Sequence, residues 1–228
     1  MRAILTTPTP SLEESLDFFG KLGFARVVDE PPVFAEGETL IEIDGDRFAR
    51  PGVKLYRDDW QPVLDALDGE VRLHETDTGW LLTDPSGVFV RLMRGECPYP
   101  LLEGEKAEQR SAFGAFAGLS LESGDLERSV GLWRRLGFEP GEQQGDAWVT
   151  CTGYGLGISI MKPLTCPHLF FNPSLTYFNS GKNPEIIAEL RKRGVSFAEE
   201  ITHFNDQGIV DNVIVRDPGG WGIFVFND

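Results

Sequence analysis

Three cysteines, three histidines and 21 basic residues against 36 acidic ones leave this 228-residue chain poor in the groups on which several functions depend. Cys97, Cys151 and Cys166 are an odd number without C-x-x-C spacing, so no disulfide framework or thiolate zinc site is written into them. Buried structural thiols are the commoner use of such residues, and no catalytic cysteine is expected. A formal charge of −15 and a pI near 4.6 repel phosphate backbones and anionic headgroups, which argues against nucleic acid and membrane surfaces as partners. No charged segment followed by an apolar run opens the sequence, and the expectation is a reduced, cytoplasmic protein.

What is present, 41% hydrophobic and 25% charged residues with 16 Phe and 5 Trp, is the composition of a soluble globular protein. Its strongest feature is an internal echo. The segment from Ser11 to Phe24 returns 114 positions later from Asp125 to Phe138, with L-E-x-S and L-G-F in register. Asp84-Pro85-Ser86-Gly87 likewise returns as Asp217-Pro218-Gly219-Gly220, each ahead of a strand-like run. Two landmarks in the same order mark a tandem duplication. The halves read as 1–95 and 113–228, joined by a linker at 96–112 that carries Pro98, Pro100 and Gly104 without a hydrophobic period.

Ser11 with Glu14 forms a capping box, Leu12, Leu16, Phe19 and Leu22 recur at helical spacing, and Gly23 stands where a C-terminal cap belongs. Short β-rich runs follow at 25–28, 39–43 and 53–56, then a shorter helix at 60–67 and strands near 71–74, 80–83 and 88–93. The second half repeats the plan more fully. The landmarks lie 73 positions apart in the first copy and 92 in the second, so the first is 19 residues shorter and one of its strands is expected to be missing. The segment from Gly52 to Tyr56 either ends the first unit or begins the second.

The D/S-L-E-x-S helix, L-G-F and D-P-x-G followed by a final strand resemble the vicinal oxygen chelate superfamily, which includes glyoxalase I, bleomycin-resistance proteins and extradiol dioxygenases. The resemblance implies an α+β fold of tandem βαβββ modules forming two open, cupped mixed sheets with helices outside, and implies that members often form homodimers. It also implies where a metal would be held: a His on the first strand, an acid on the fourth, a His or similar on the fifth and a Glu on the eighth. Transferred to this sequence, those places fall on Ile4, Glu42, Gly52 or Val53, and Arg91 in the first copy. In the second they fall on Gly118, Ser159, Ser174 and Phe224. Neither set suits a divalent cation, and no metal or other cofactor is expected.

Arg91 points to the face where the resemblance places a Glu, and an inward arginine needs an anion. Glu42 is the expected internal partner, with a ligand carboxylate or phosphate as the alternative. In the second copy Phe224 makes the floor apolar. Trp148, Met161, Tyr177 and Trp221, with Phe170 and Phe171, are candidate walls, alongside Ser159, Ser174 and the loop residue His203. Each aromatic taken singly is more simply a core residue; as a set, some are expected to line a cavity. The expectation is a metal-free binding module for a small, partly aromatic or apolar molecule, with no catalytic residue assigned. The alternative is a lyase, isomerase or dioxygenase of the same superfamily working through a misplaced metal site or through His168, His203, Glu199 or Glu200.

Overall fold

The computed structural model describes residues 1–228 apart from 47, 105–107, 109, 167–170, 203 and 227–228. The first half runs β1 (Arg2–Pro8), α1 (Leu12–Lys21), β2 (Ala25–Val28), β3 (Val33–Glu36), β4 (Thr39–Asp44), then β5 (Gly52–Arg57), α2 (Gln61–Leu67), β6 (His74–Thr76), β7 (Gly79–Thr83) and β8 (Phe89–Arg94). The second runs β9 (Phe116–Glu122), α3 (Leu126–Arg135), β10 (Glu139–Gln144), β11 (Trp148–Gly153), β12 (Leu156–Met161), then β13 (Ser174–Phe178), α4 (Asn183–Lys192), β14 (Phe197–Ile201), β15 (Asn212–Arg216) and β16 (Gly222–Phe226). Each half is one eight-stranded sheet, ordered β2-β3-β4-β1-β5-β8-β7-β6 and β10-β11-β12-β9-β13-β16-β15-β14. The first copy therefore lacks no strand. Its shortfall is spread over turns and over shorter elements, β2, β3, α2 and β6, and Gly52–Arg57 begins its second module, pairing antiparallel with β1 and parallel with β8. The strands missing from the sequence reading, β3 and β10, are short or exposed throughout: Glu139–Gln144 carries no apolar alternation for a period-2 pattern to detect.

The repeated residues make the same contacts twice. Ser11 and Asp125 cap their helices by accepting from the backbone N–H of Glu14 and Arg128. The serines of the two L-E-x-S motifs, Ser15 and Ser129, are buried and meet the hydroxyls of Thr9 and Ser123 at 2.7 and 2.8 Å, tying each helix to the turn that follows the preceding strand. Gly23 and Gly137 take positive φ of 80° and 97° just past the helix ends, turning the chain so that Phe24 and Phe138 enter the core. The aspartates of the D-P-x-G turns have a role beyond the turn. Asp84 accepts from the indole of Trp133 at 3.1 Å and Asp217 from the hydroxyl of Thr7 at 2.6 Å, so each copy's turn is bonded to the other copy.

One face of each sheet carries the helices, and both of these faces share a single apolar core in which Leu5, Val53 and Leu92 belong to the same cluster as Leu119, Leu175 and Ile223. The opposite faces form separate clusters, one on Ile4, Val33, Leu40 and Tyr56 and the other on Met161, Ile214 and Phe224. The two halves thus stand back to back with their cups facing away from each other. No described helix is long and apolar enough to cross a membrane.

Candidate ligand site in the second cup

Strand alternation assigns every side chain on β9, β12, β13 and β16 to one face or the other. In the second half the cup face receives Gly118 and Ser120, Ser159 and Met161, Thr176 and Phe178, and Phe224 and Phe226, while Leu119, Ile160, Tyr177 and Val225 go to the core. The cup holds a cavity of about 330 Å³ whose walls include Trp148, Met161, Phe178 and Phe226 and whose polar groups include Ser120, Ser159 and Thr176. Gly118 lines the cavity and admits no side chain: its φ is +137°, and a Cβ there would lie 2.5 Å from the carbonyl oxygen of Gly157. Phe224 is fully buried beneath the cavity, packed with Met161 and Ile214 and stacked on Phe226 at 5.5 Å between centroids. The hydroxyls of Ser120 and Thr176 meet at 2.7 Å. Among the described lining residues none carries a formal charge, so the cup is neutral as well as largely apolar.

Of the residues named from sequence, Trp148, Ser159 and Met161 line this cavity. Ser174 does not; it is buried, and its hydroxyl donates to the carbonyl of Ser120 at 3.4 Å. Tyr177 is one residue out of phase with the cup and points into the shared core against Phe113 and Phe116. Trp221 is buried at the seam between the halves, its indole N–H donating to the carbonyl of Thr6 at 3.1 Å. Phe171 packs beside the cup-face cluster, whereas His203, His168 and Phe170 lie outside the described residues. The sequence reading missed Thr176, Ser120, Phe178 and Phe226. The alternation that excludes Tyr177 places Thr176 and Phe178 on the cup face, so the signal was present.

The first cup is built differently. Its floor holds Glu42, Asp44, Lys54 and Arg91, and the expected Glu42–Arg91 pair is replaced by two others. Lys54 Nζ lies 2.6 Å from Glu42 Oε1, and Arg91 Nη1 lies 2.8 Å from Asp44 Oδ2. The reason is register: Lys54 sits directly opposite Arg91 on the adjacent strand, nearer to β4, and takes Glu42, while the longer arginine reaches on to Asp44. Burial works against the Asp44 carboxylate, but the Asp46 backbone amide and the Arg91 guanidinium outweigh it and hold its pKa below the usual range. Residues 97–102 cover this floor. Cys97, Tyr99 and Leu102 pack on the cluster around Ile4 and Tyr56, the Tyr99 hydroxyl donates to Glu42 Oε2 at 2.7 Å, and Arg2 Nη1 donates to the carbonyl of Pro100 at 2.6 Å. Burial, and then the Glu42 carboxylate, push the Tyr99 phenol up beyond its ordinary range.

The same register corrects the fifth-strand position. Lys54 faces Arg91, one residue beyond Val53 and two beyond Gly52, and Thr176 faces Phe224, two residues beyond Ser174. The four positions are then Ile4, Glu42, Lys54 and Arg91 in one cup, and Gly118, Ser159, Thr176 and Phe224 in the other. A cation needs several oxygen or imidazole donors, and the first set opposes it with an ammonium and a guanidinium while the second offers two neutral hydroxyls. Neither set fits a divalent metal. Among the described residues no three His, Cys, Asp or Glu side chains converge elsewhere.

No protein-family model matches the sequence, and no curated protein matches it. Solved structures do match in shape. The 2,3-dioxygenase LapB from a Pseudomonas strain aligns with a TM-score of 0.59 at 13% identity, covering 100% of this chain and 92% of that one. A variant of 4-hydroxymandelate synthase from Streptomyces coelicolor aligns with 0.57 at 13%, covering 98% and 90%. A catechol 2,3-dioxygenase aligns with 0.56 at 14%, covering 99% and 86%. At such identities the likeness is one of fold, over nearly the whole of each chain. The protein has the duplicated βαβββ fold of the vicinal oxygen chelate superfamily.

Proposed function

We propose that this protein is a binding module of that fold, taking a small, neutral, flat and largely apolar molecule into the second cup without a metal ion held at the four strand positions. The observation that carries this reading is the cavity itself: about 330 Å³ walled by Trp148, Met161, Phe178 and Phe226, with no charged lining side chain among the described residues. Apolar walls with a few placed hydroxyls are the usual make-up of small-molecule sites, and their neutrality disfavours anions and cations, which would be desolvated without a counter-charge. Phe224 supports it from below, because a buried phenyl ring at the eighth-strand position supplies packing and no ligand atom.

A thermal-shift screen of the purified protein against neutral bicyclic aromatics, charged analogues of the same size and divalent metals tests the proposal. Binding to the folded state raises the melting temperature, by about 2.7 kcal/mol of added stability at a hundredfold excess over Kd. Neutral compounds should shift the transition, and Trp148→Ala should abolish the shift. Stoichiometric Fe, Mn, Ni or Zn in the protein as isolated, or a response to metals alone, would overturn the reading.

A further inference from the structure

The hydroxyls of the second cup restrict the ligand more than its apolar walls do. Ser120 Oγ and Thr176 Oγ1 lie 2.7 Å apart, and either can be the donor. Whichever donates, one hydrogen is spent between them and one is left over. Both side chains are only 6% exposed and both line the cavity, so the leftover hydrogen is presented to whatever fills the cup. Ser159 faces Ser120 on the neighbouring strand, roughly 4.8 Å away by ordinary sheet spacing. Its hydroxyl lines the cavity and makes no hydrogen bond to any described residue. The cup therefore presents two spare O–H donors from adjacent strands within a wall of Trp148, Met161, Phe178 and Phe226.

We infer that the ligand is a neutral carbonyl compound, a ketone, quinone, lactone or amide on a flat apolar body, whose oxygen accepts from Ser159 and from the Ser120–Thr176 pair. This rests on the second cup being the ligand site. A buried donor without an acceptor costs about 1–3 kcal/mol, so two convergent donors select for an oxygen that can accept twice. A carbonyl oxygen has two lone pairs and brings no hydrogen of its own. An alcohol accepting the same two bonds brings a third hydrogen, for which the thioether and aromatic walls are poor acceptors and which only the exposed Gln144 and Thr165 of the lining could take. A carboxylate would accept well, yet it would enter a cup that offers no cation among its described lining residues. Ser120, Ser159 and Thr176 are then the specificity-determining residues, and Trp148 with the two phenylalanines supplies affinity common to all flat ligands.

The test is a matched series of one size and shape, 1-tetralone, 1-tetralol and tetralin, titrated by calorimetry into the intact protein and into Ser159→Ala and Thr176→Val. Ser159 has no hydrogen-bond partner to lose among the described residues, so Ser159→Ala should keep the parent's melting temperature. Tetralone should bind at least tenfold more tightly than tetralin. Either substitution should cut that preference to about threefold or less while tetralin affinity stays within twofold. Equal binding of tetralone and tetralin, or tighter binding of tetralol, overturns the carbonyl inference and leaves the binding-module reading standing. Failure of all three compounds to bind overturns both.

Discussion

The two cups are copies of one design whose floors have diverged in opposite directions. In the first, the four equivalent positions hold Ile4, Glu42, Lys54 and Arg91, and the interdomain segment closes over them with Tyr99 bonded to Glu42. In the second they hold Gly118, Ser159, Thr176 and Phe224, and the cup stays open. Charged floors must be paired or covered, because a desolvated ion without a partner is costly; neutral hydroxyl floors can be left for a ligand to complete. Duplication thus supplies two scaffolds, of which one is covered by its own chain and the other keeps an open cavity.

The sharpest way to break this contrast is Lys54→Met. It leaves the Glu42 carboxylate, 4% exposed, with only the Tyr99 hydroxyl, and removing one partner of a buried pair typically costs about 3–5 kcal/mol. Denaturant unfolding should show a loss of that order, with much of it recovered in Lys54→Met/Glu42→Gln, while probe affinity in the second cup holds within about twofold because the cups face away from each other. A loss under 1 kcal/mol would mean that the first floor is solvated and open.

A somewhat smaller effect belongs to neither cup. Glu36, at the end of β3, is buried and accepts from the Ser111 backbone N–H; burial pushes its pKa up to about 7 from an ordinary 4.5. The folded state therefore holds a proton that the unfolded chain has released between those values. This contribution to stability is fully present below pH 4.5 and is lost as pH rises through 7. Glu36→Gln should be more stable than the parent at pH 8, by at most roughly 3 kcal/mol, with the advantage vanishing near pH 4.5. Paired unfolding curves at the two pH values decide it, and an advantage independent of pH would assign the effect to packing.

Tyr99→Phe comes next and isolates the cover of the first cup. A hydrogen bond to a charged group contributes about 1.5–3 kcal/mol, and the lower end is expected because Lys54 still holds Glu42. Stability should fall by about 1.5 kcal/mol, and protease cleavage within 97–102 should quicken. Unchanged cleavage would show that Arg2, which holds the Pro100 carbonyl, and the apolar contacts of Cys97 and Leu102 suffice to keep the cover in place.

The duplication, the helix caps and the D-P-x-G turns were legible in the sequence because each is a local signal: Ser11 and Asp125 cap within three residues, and Gly23 and Gly137 turn the chain beside them. The cups were legible only in part, because their composition depends on register between distant strands. A displacement of one or two residues on β5 and of two on β13 hid Lys54 and Thr176, the residues that help make the first floor charged and complete the hydroxyl set of the second. A displacement of one residue put Tyr177 in the cup when it belongs to the core. The closure of the first cup by residues 97–102 left no periodic trace, since a segment packed through Cys97, Tyr99 and Leu102 carries neither helical nor strand spacing.

The smallest expected effect is an absence of change. Ligand binding in the second cup should be nearly indifferent to pH, since the described lining residues carry no formal charge and the seam carboxylates act on the fold from outside it. Glu36 and Asp217, whose pKa burial pushes up to about 6, titrate between pH 5 and 8 and alter global stability. Binding alone responds only to groups whose protonation differs between the free and bound forms. The affinity of a neutral probe should stay within about twofold from pH 5.5 to 8 under conditions where the protein is fully folded. A tenfold change across that range would require an ionisable group at the ligand, and would make the second cup, like the first, a charged one.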